Sequence, residues 1–273
     1  IIGWDAAGIV EAVGEEVTLF KKGDEVYYAG DINRPGSDAE YQLVDERIAA
    51  GKPASLSNPE AAAMPLTTLT AWEALFDRLR VNEKDKGKHI LIIGGAGGVG
   101  SIAIQIAKQI AGLKVITTAS RPETVEWCKQ QGADIVVNHK NLVNEVRNAG
   151  LQYVDFIFDC ADANFYWDAM ADLIKPQGHI VSITGSANPV ALNKLKTKSA
   201  TFSWEYMYTR SFFKTEDMIA QHNILNEAAA LFDNGTLTST LTTVLKGLSA
   251  DNLKRAHAQL ESGRMIGKLV IEY

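Results

Sequence analysis

KHILIIGGAGGVGSIAIQIAKQI, residues 88–110, is the stretch that decides the fold. Its opening, HILIIG (89–94), is a continuous apolar run of strand length. Its close has helical spacing, with Val99, Ile102, Ala103, Ile106, Ala107 and Ile110 on one face and Gln105, Lys108 and Gln109 on the other. Between the two, Gly95, Gly97 and Gly100 fit G-x-G-x-x-G. A strand that turns on glycines into a helix leaves unpaired N–H groups and the positive end of the helix dipole where a pyrophosphate can lie. Ala96, Gly98 and Val99 complete that loop. The combination predicts dinucleotide binding; a merely structural glycine turn is the plainer alternative.

Downstream the strand–helix rhythm repeats. KVITTAS (114–120), IVVN (135–138), DFIFDC (155–160), HIVSITG (179–185) and ATFSWEYM (200–207) are strand candidates separated by amphipathic stretches. Continuous apolar runs predict strands buried on both faces, hence a parallel sheet covered by helices: a doubly wound α/β domain. Upstream, residues 7–50 carry short runs (AGIVEAV, EVYYAG, AEYQLV) between turn signals, which predicts a compact, mostly antiparallel β unit in which Tyr41 is packed. Pro53 to Pro59 forms a connector, and the Ala- and Leu-rich stretch after it is a helical bridge interrupted at Pro65. A helix near 215–233, a strand TTVLKGL (242–248), a helix over 249–263 and a last strand GKLVIEY (267–273) have no place in the parallel sheet. The chain therefore returns to its first domain, giving residues 1–66 with 222–273 as one domain and 67–221 as the dinucleotide-binding one.

The whole-chain quantities agree with two domains: 273 residues, 46% hydrophobic and 22% charged, too mixed for a disordered or fibrous chain. Lys plus Arg (27) against Asp plus Glu (33) leaves a net charge of −6, which provides no basic field for nucleic acid or an anionic membrane. Two cysteines, Cys128 and Cys160, cannot build a disulfide framework, so a reducing, cytoplasmic setting is expected. No apolar run reaches the ~20 residues of a transmembrane helix.

The second strand of the α/β domain sets the choice of dinucleotide. An NAD site usually ends that strand on an Asp or Glu that binds the adenosine ribose. Here the tip is Thr117-Thr118-Ala119-Ser120-Arg121. A guanidinium can fork onto a 2′-phosphate, whereas a carboxylate would repel it, so Ser120 and Arg121 favour NADPH. The alternative is that Arg121 is a solvated residue ahead of Pro122 at a helix start.

With these residues in place, the sequence resembles the medium-chain dehydrogenase/reductase superfamily, in its quinone oxidoreductase-like branch often labelled zinc-type alcohol dehydrogenase-like. The matching stretches are GWDAAGIVEAVGEEVTLFKKGDEV (3–26), AEYQLVDE (39–46), AAAMPLTTLTAWEAL (61–75), IIGGAGGVG (92–100) and ESGRMIGKLV (261–270), which span essentially the whole chain. The resemblance implies a GroES-like β domain, a Rossmann domain, a homodimer, and opening strands that precede Ile1. It places Thr70 beside the nicotinamide, the alternative being a buried helix hydroxyl. Arg264 and Lys268 look like cofactor clamps, or else are ordinary turn charges. His139 stands where relatives often carry a tyrosine near the adenosine phosphate, and Thr124 where they often carry a lysine. Cys160, Thr184 and Gly185 end strands at the carboxyl edge, where Rossmann ligands sit; as a side chain, Cys160 is read as a small core hydrophobe rather than a reactive thiol.

The zinc label does not carry over. Gly3-Trp4-Asp5 replaces the Gly-His-Glu of the zinc enzymes, Met64-Pro65-Leu66 holds no ligand cysteine, and the loop Asp31 to Ser37 is free of cysteine. Catalytic zinc needs about three protein ligands, so no metal is expected, and His89, His139, His179, His222 and His257 are read as surface or core residues. What remains resembles the zinc-free branch: an NADPH-dependent reductase of quinones or α,β-unsaturated carbonyls, with a small planar substrate and no general acid that the sequence identifies. An enoyl-thioester reductase and a non-catalytic NADPH-binding protein are the competing readings. FSWEYMYTRSFF (202–213) is open between a substrate wall or lid and an interface or core.

Overall fold

The structure, a computed structural model, describes residues 1–273. Strands β1 (Ala6–Ile9), β2 (Glu25–Tyr28) and β3 (Ala49–Gly51) form an antiparallel sheet in the order β1-β2-β3. Because successive side chains of a strand point to opposite faces, the central strand feeds two cores. Val26 and Tyr28 pack with Ala49, whereas Tyr27 packs among Leu69, Met207, Tyr208 and Leu225. The Tyr27 hydroxyl, fully buried, donates to the Leu225 carbonyl at 2.6 Å, and burial holds the phenol protonated far above the ordinary tyrosine range. Tyr27→Phe would remove that bond while leaving the carbonyl its helical partner, and a loss of about 0.5–1.5 kcal/mol in chemical denaturation is expected.

The second unit is a six-stranded sheet. Strands β4 (His89–Ile93), β5 (Lys114–Thr118), β6 (Ile135–Val137), β7 (Val154–Asp159), β8 (Ile174–Ser182) and β9 (Thr201–Trp204) are all parallel, in the order β6-β5-β4-β7-β8-β9. The winding runs outward from β4 in both directions, as in dinucleotide-binding sheets, and its switch point lies between β4 and β7. Leu91, Ile93, Ile116, Ile157 and Ile180 fill one core of this sheet together with Trp167 and Met170. The helical segment from Gly98 to Ile110 departs from expectation at one position of its polar face: Gln109 is exposed and Lys108 half-buried, but Gln105 is not at the surface. Gln105 is buried and donates to Gln131 Oε1 at 2.7 Å, so its polar group is satisfied inside the fold instead of by water.

The closing strands β10 (Leu241–Lys246) and β11 (Lys268–Glu272) pair in parallel with each other. The chain divides into Ile1–Leu69 with Met207–Tyr273 as one compact unit and Thr70–Tyr206 as the other. The return thus falls earlier than residue 222, because Met207 and Tyr208 are buried beside Tyr27 and Leu225 in the first unit. The aromatic segment 202–213 straddles that division: Phe202 packs edge-on to Trp167 at 5.1 Å and Trp204 at 4.8 Å in the second unit. AEYQLV is not a strand, and Tyr41 is not packed but 75% exposed. Its alternating composition marks residues that suit a half-buried sheet surface, yet no neighbouring strand offers it a ladder.

Candidate cofactor site

The glycine loop begins where β4 ends, at the switch point. Gly94 has φ of +88°, a left-handed conformation that an L side chain rarely adopts. Its N–H donates to Thr118 Oγ1 at 2.9 Å, and Gly95 N donates to Thr118 O at 3.3 Å, so the tip of β5 ties the loop down. A Cβ at Gly95 would meet Thr117 Oγ1 at 2.0 Å, and one at Gly100 would meet Gly94 O at 2.2 Å. Those two glycines are demanded by the protein's own packing. Gly97 differs: it is the N-cap of the helix Gly98–Gln105, no side chain caps that helix, and the nearest atom to an added Cβ is Gly94 O at an ordinary 3.5 Å. The helix therefore presents its first N–H groups to a cradle that only a missing side chain keeps open, the arrangement that suits a pyrophosphate. Ala96 lies in this turn, and Gly98 and Val99 are the first two residues of the helix.

Across the switch point, Cys160 N donates to Ile93 O at 3.0 Å, bringing residues 160–163 beside the loop. That segment is organised by Asp159, which is fully buried. Its Oδ1 accepts from Ala161 N (3.0 Å) and Asp162 N (3.2 Å), and its Oδ2 from Ser182 Oγ (2.8 Å) and Thr184 Oγ1 (3.1 Å). Thr184 Oγ1 also accepts from Ala163 N at 3.0 Å. Thr184 and Cys160 thus meet at the carboxyl edge, with the exposed Gly185 next in the chain. Burial, and then the Asp159 carboxylate, push the Cys160 thiol well above its ordinary range, so it is held as a neutral thiol.

At the tip of β5, Ser120 is exposed and Arg121 caps the helix Pro122–Gln130 through its backbone. Thr124 serves that cap: its hydroxyl accepts from Arg121 N at 3.2 Å and donates to Arg121 O at 2.8 Å. The Arg121 guanidinium is bonded through Nε to Glu123 Oε1 at 3.0 Å. An acid therefore does stand at this edge, two residues after the tip and on the arginine itself. His139 is half-buried in a single 3₁₀ turn after β6. Thr70 is buried in the helix Pro65–Trp72 and is the first residue of the second unit.

Arg264 and Lys268 belong to the first unit. Arg264 is exposed, and its N–H donates to Ser262 Oγ at 3.2 Å. Lys268 Nζ is bonded to Asp5 Oδ2 at 2.7 Å, while Asp5 Oδ1 accepts from Leu66 N at 2.7 Å. Both oxygens of Asp5 are occupied by this chain's own donors. His222 is likewise structural, bonded to Ala49 O at 2.7 Å and Asn226 at 2.9 Å. No three His, Cys, Asp or Glu side chains converge in a metal-holding group. A cavity of the first unit, about 790 Å³ between the antiparallel sheet and the β11 region, is lined by Lys268 but by none of the other expected cofactor residues.

A doubly wound parallel sheet with a glycine loop at its switch point, joined to a short antiparallel unit to which the chain returns, is the architecture of the medium-chain nicotinamide oxidoreductases. The sequence profile of the alcohol dehydrogenase GroES-like domain matches residues 1–54, and that of the zinc-binding dehydrogenase domain matches residues 98–221. A zinc-type alcohol dehydrogenase-like protein of Staphylococcus aureus is 50% identical over 99% of this chain and 82% of its own length. The 2-methylene-furan-3-one reductase of Solanum lycopersicum is 32% identical over 98% of this chain and 62% of its own. Among solved structures, a protein of Rhizobium etli provisionally described as a zinc-dependent alcohol dehydrogenase superposes with a TM-score of 0.96 at 51% identity, covering 100% of this chain and 80% of that one. Escherichia coli quinone oxidoreductase complexed with NADPH does so with 0.83 at 27% identity, covering 99% and 82%. The chain belongs to the medium-chain dehydrogenase/reductase superfamily, in its quinone oxidoreductase-like branch, and is an oxidoreductase of that family. No helix is long and apolar enough to cross a membrane.

Proposed function

We propose that this protein is a zinc-independent, NADPH-dependent reductase of quinones or α,β-unsaturated carbonyls. The observation that carries the reading is the glycine cradle at the β4/β7 switch point with Ser120 and Arg121, not a carboxylate, at the tip of β5. The quinone oxidoreductase named above was solved with NADPH, and the tomato relative is named for reduction of a conjugated ketone, which supports the acceptor class. The zinc-independent part rests on the donor set: Trp4 offers no ligand atom for a metal, and Asp5 is committed to Lys268 and Leu66 N.

A bound nicotinamide supplies the hydride in such a reaction. This chain's residues do the rest. The N–H groups at the start of the helix Gly98–Gln105 hold the pyrophosphate, Asp159 positions residues 160–163 beside it, and Ser120, Arg121 and His139 flank the adenosine end. Thr70, Arg264 and Lys268 remain proposed contacts, Lys268 by exchanging one of its donors away from Asp5. The partners proposed are a small planar acceptor and a second copy of this chain, in a cytoplasmic setting that keeps both cysteines reduced.

The test is steady-state NADPH oxidation against a simple quinone, an enone and an enoyl thioester. Turnover with quinone or enone is the expected result; turnover with the thioester alone would reassign the acceptor, and no turnover with any would leave a binding protein. Glu123 provides a sharper check on the cofactor. Because its carboxylate sits on Arg121, Glu123→Gln is expected to tighten NADPH relative to NADH by about 1.5- to 5-fold, the range of an exposed ion pair, as read by cofactor fluorescence titration.

A further inference from the structure

At the amino edge of the same parallel sheet, the end opposite the glycine loop, lies a second cavity of about 590 Å³ that none of the chemistry above uses. Its walls come from the chain leaving the helix before β4 (Leu79, Arg80, Asn82, Asp85, Lys88), from the start of β7 (Asp155, Phe156) and from the start of β8 (Lys175 to His179). The volume is in the range of small-molecule sites. We propose that this cavity is a binding site for a small, multiply charged anion, a phosphate or polycarboxylate, recognised by Arg80, Lys88, Lys175 and His179.

The charge arithmetic of the wall favours an anion. Three permanent cations, Arg80, Lys88 and Lys175, face two acids, Asp85 and Asp155. Both acids are already engaged by the fold. Asp85 accepts from Asn82 N at 2.9 Å and Lys88 Nζ at 2.5 Å, and Asp155 accepts from His89 N at 2.8 Å and from Lys175 Nζ. An ammonium has three donors, so each lysine retains capacity after meeting its carboxylate. His179 adds a ring nitrogen, Nδ1, that is shielded from solvent and has no partner.

The backbone points the same way. Four non-glycine residues have positive φ in the whole chain, and two of them, Arg80 (+58°) and Gln177 (+63°), line this cavity. Arg80 follows the end of the helical segment at Leu79, the position where glycine most readily takes the left-handed turn. A long cation there strains the turn and sets a guanidinium at the rim, and strain of this kind concentrates at ligand sites. Gln177 occupies the irregular start of β8, where the pairing with β7 shifts register between Val154 and Phe156. Burial first, and then the Arg80 charge, hold the His179 imidazole below its ordinary range; an anion in the cavity would raise it.

The experiment is isothermal titration of the whole protein with inorganic pyrophosphate and, separately, with citrate, at constant ionic strength, in wild type, Arg80→Asn and His179→Gln. Asparagine tolerates the left-handed turn, so Arg80→Asn removes the charge and keeps the backbone. The expected result is binding of at least one anion to wild type, weakened tenfold or more in Arg80→Asn, together with an upward shift of the His179 titration by NMR when that anion is present; His179→Gln assigns the resonance. Pyrophosphate alone would identify a phosphorylated ligand, citrate alone a polycarboxylate. Absence of binding by either anion, or binding that is unchanged in Arg80→Asn and leaves His179 unmoved, would overturn the proposal, the latter placing the anion elsewhere, such as at the glycine loop.

Discussion

Gly100→Ala is expected to lose both stability and cofactor binding, whereas Gly97→Ala loses binding alone. A Cβ on Gly100 would lie 2.2 Å from Gly94 O and 2.8 Å from Gly95 Cα, and neither is a side chain that can swing aside. The helix must move away from β4 or the loop must unravel. Overpacking of this kind costs about 1–3 kcal/mol, which corresponds to a fall in melting temperature of roughly 2–12 °C at a few degrees per kcal/mol for a chain of this size. At Gly97 the nearest atom would be 3.5 Å away, so the fold accommodates the methyl group. On the proposed function that methyl group would take up space meant for the pyrophosphate, so a loss of cofactor affinity at unchanged stability is the expected result. Calorimetry and cofactor titration on the two variants separate the packing glycine from the binding glycine. Equal melting losses in both would show that the cradle is a structural turn.

Asp159→Ala is expected to give the largest loss of stability of any single change at this edge. One buried carboxylate accepts four hydrogen bonds, two from the backbone of residues 161 and 162 and two from Ser182 and Thr184. Removing it leaves four neutral donors without their acceptor, that of Ser182 in a fully buried residue, and a hydrogen bond to a charged group is worth about 1.5–3 kcal/mol. Because the same bonds hold residues 160–163 against the glycine loop, cofactor affinity should fall together with stability. Asp159→Asn is expected to lie between the two, since its amide oxygen can satisfy one pair of donors and its NH₂ faces the other. Urea denaturation and cofactor titration are the measurements. An Asp159→Ala protein of unchanged affinity would remove Asp159 from any role at the site.

The sequence disclosed the parallel sheet and its loop because their signals are local. Strands buried on both faces are continuous apolar runs, as in HILIIG and DFIFDC, and a glycine pattern between a strand and a helix has few other uses. The short antiparallel strands were harder, since three or four residues carry little period, and AEYQLV shows that an alternating run without a partner strand stays irregular. Gln105 looked solvent-facing because the partner that buries it, Gln131, comes from another helix. Asp159 carries a signal of its own in the sequence: an acid inside an otherwise apolar strand must be paired when buried. The engagement of Arg121 by Glu123 was legible in principle from the spacing Arg-Pro-Glu at a helix start. Nothing in the sequence joins Asp5 to Lys268, or gives Arg80 and Gln177 left-handed backbones, because neither pairing nor strain leaves a local pattern.

The most direct test of the reductase reading is a single cuvette. Cofactor fluorescence is titrated with NADPH and with NADH, and a stoichiometric quinone is then added to the bound reduced cofactor. Tighter binding of NADPH, followed by quinone-dependent loss of its fluorescence, is the predicted result. Tighter binding of NADH would contradict the role given to Ser120 and Arg121, and NADPH that stays reduced in the presence of both quinone and enone would contradict the reductase itself.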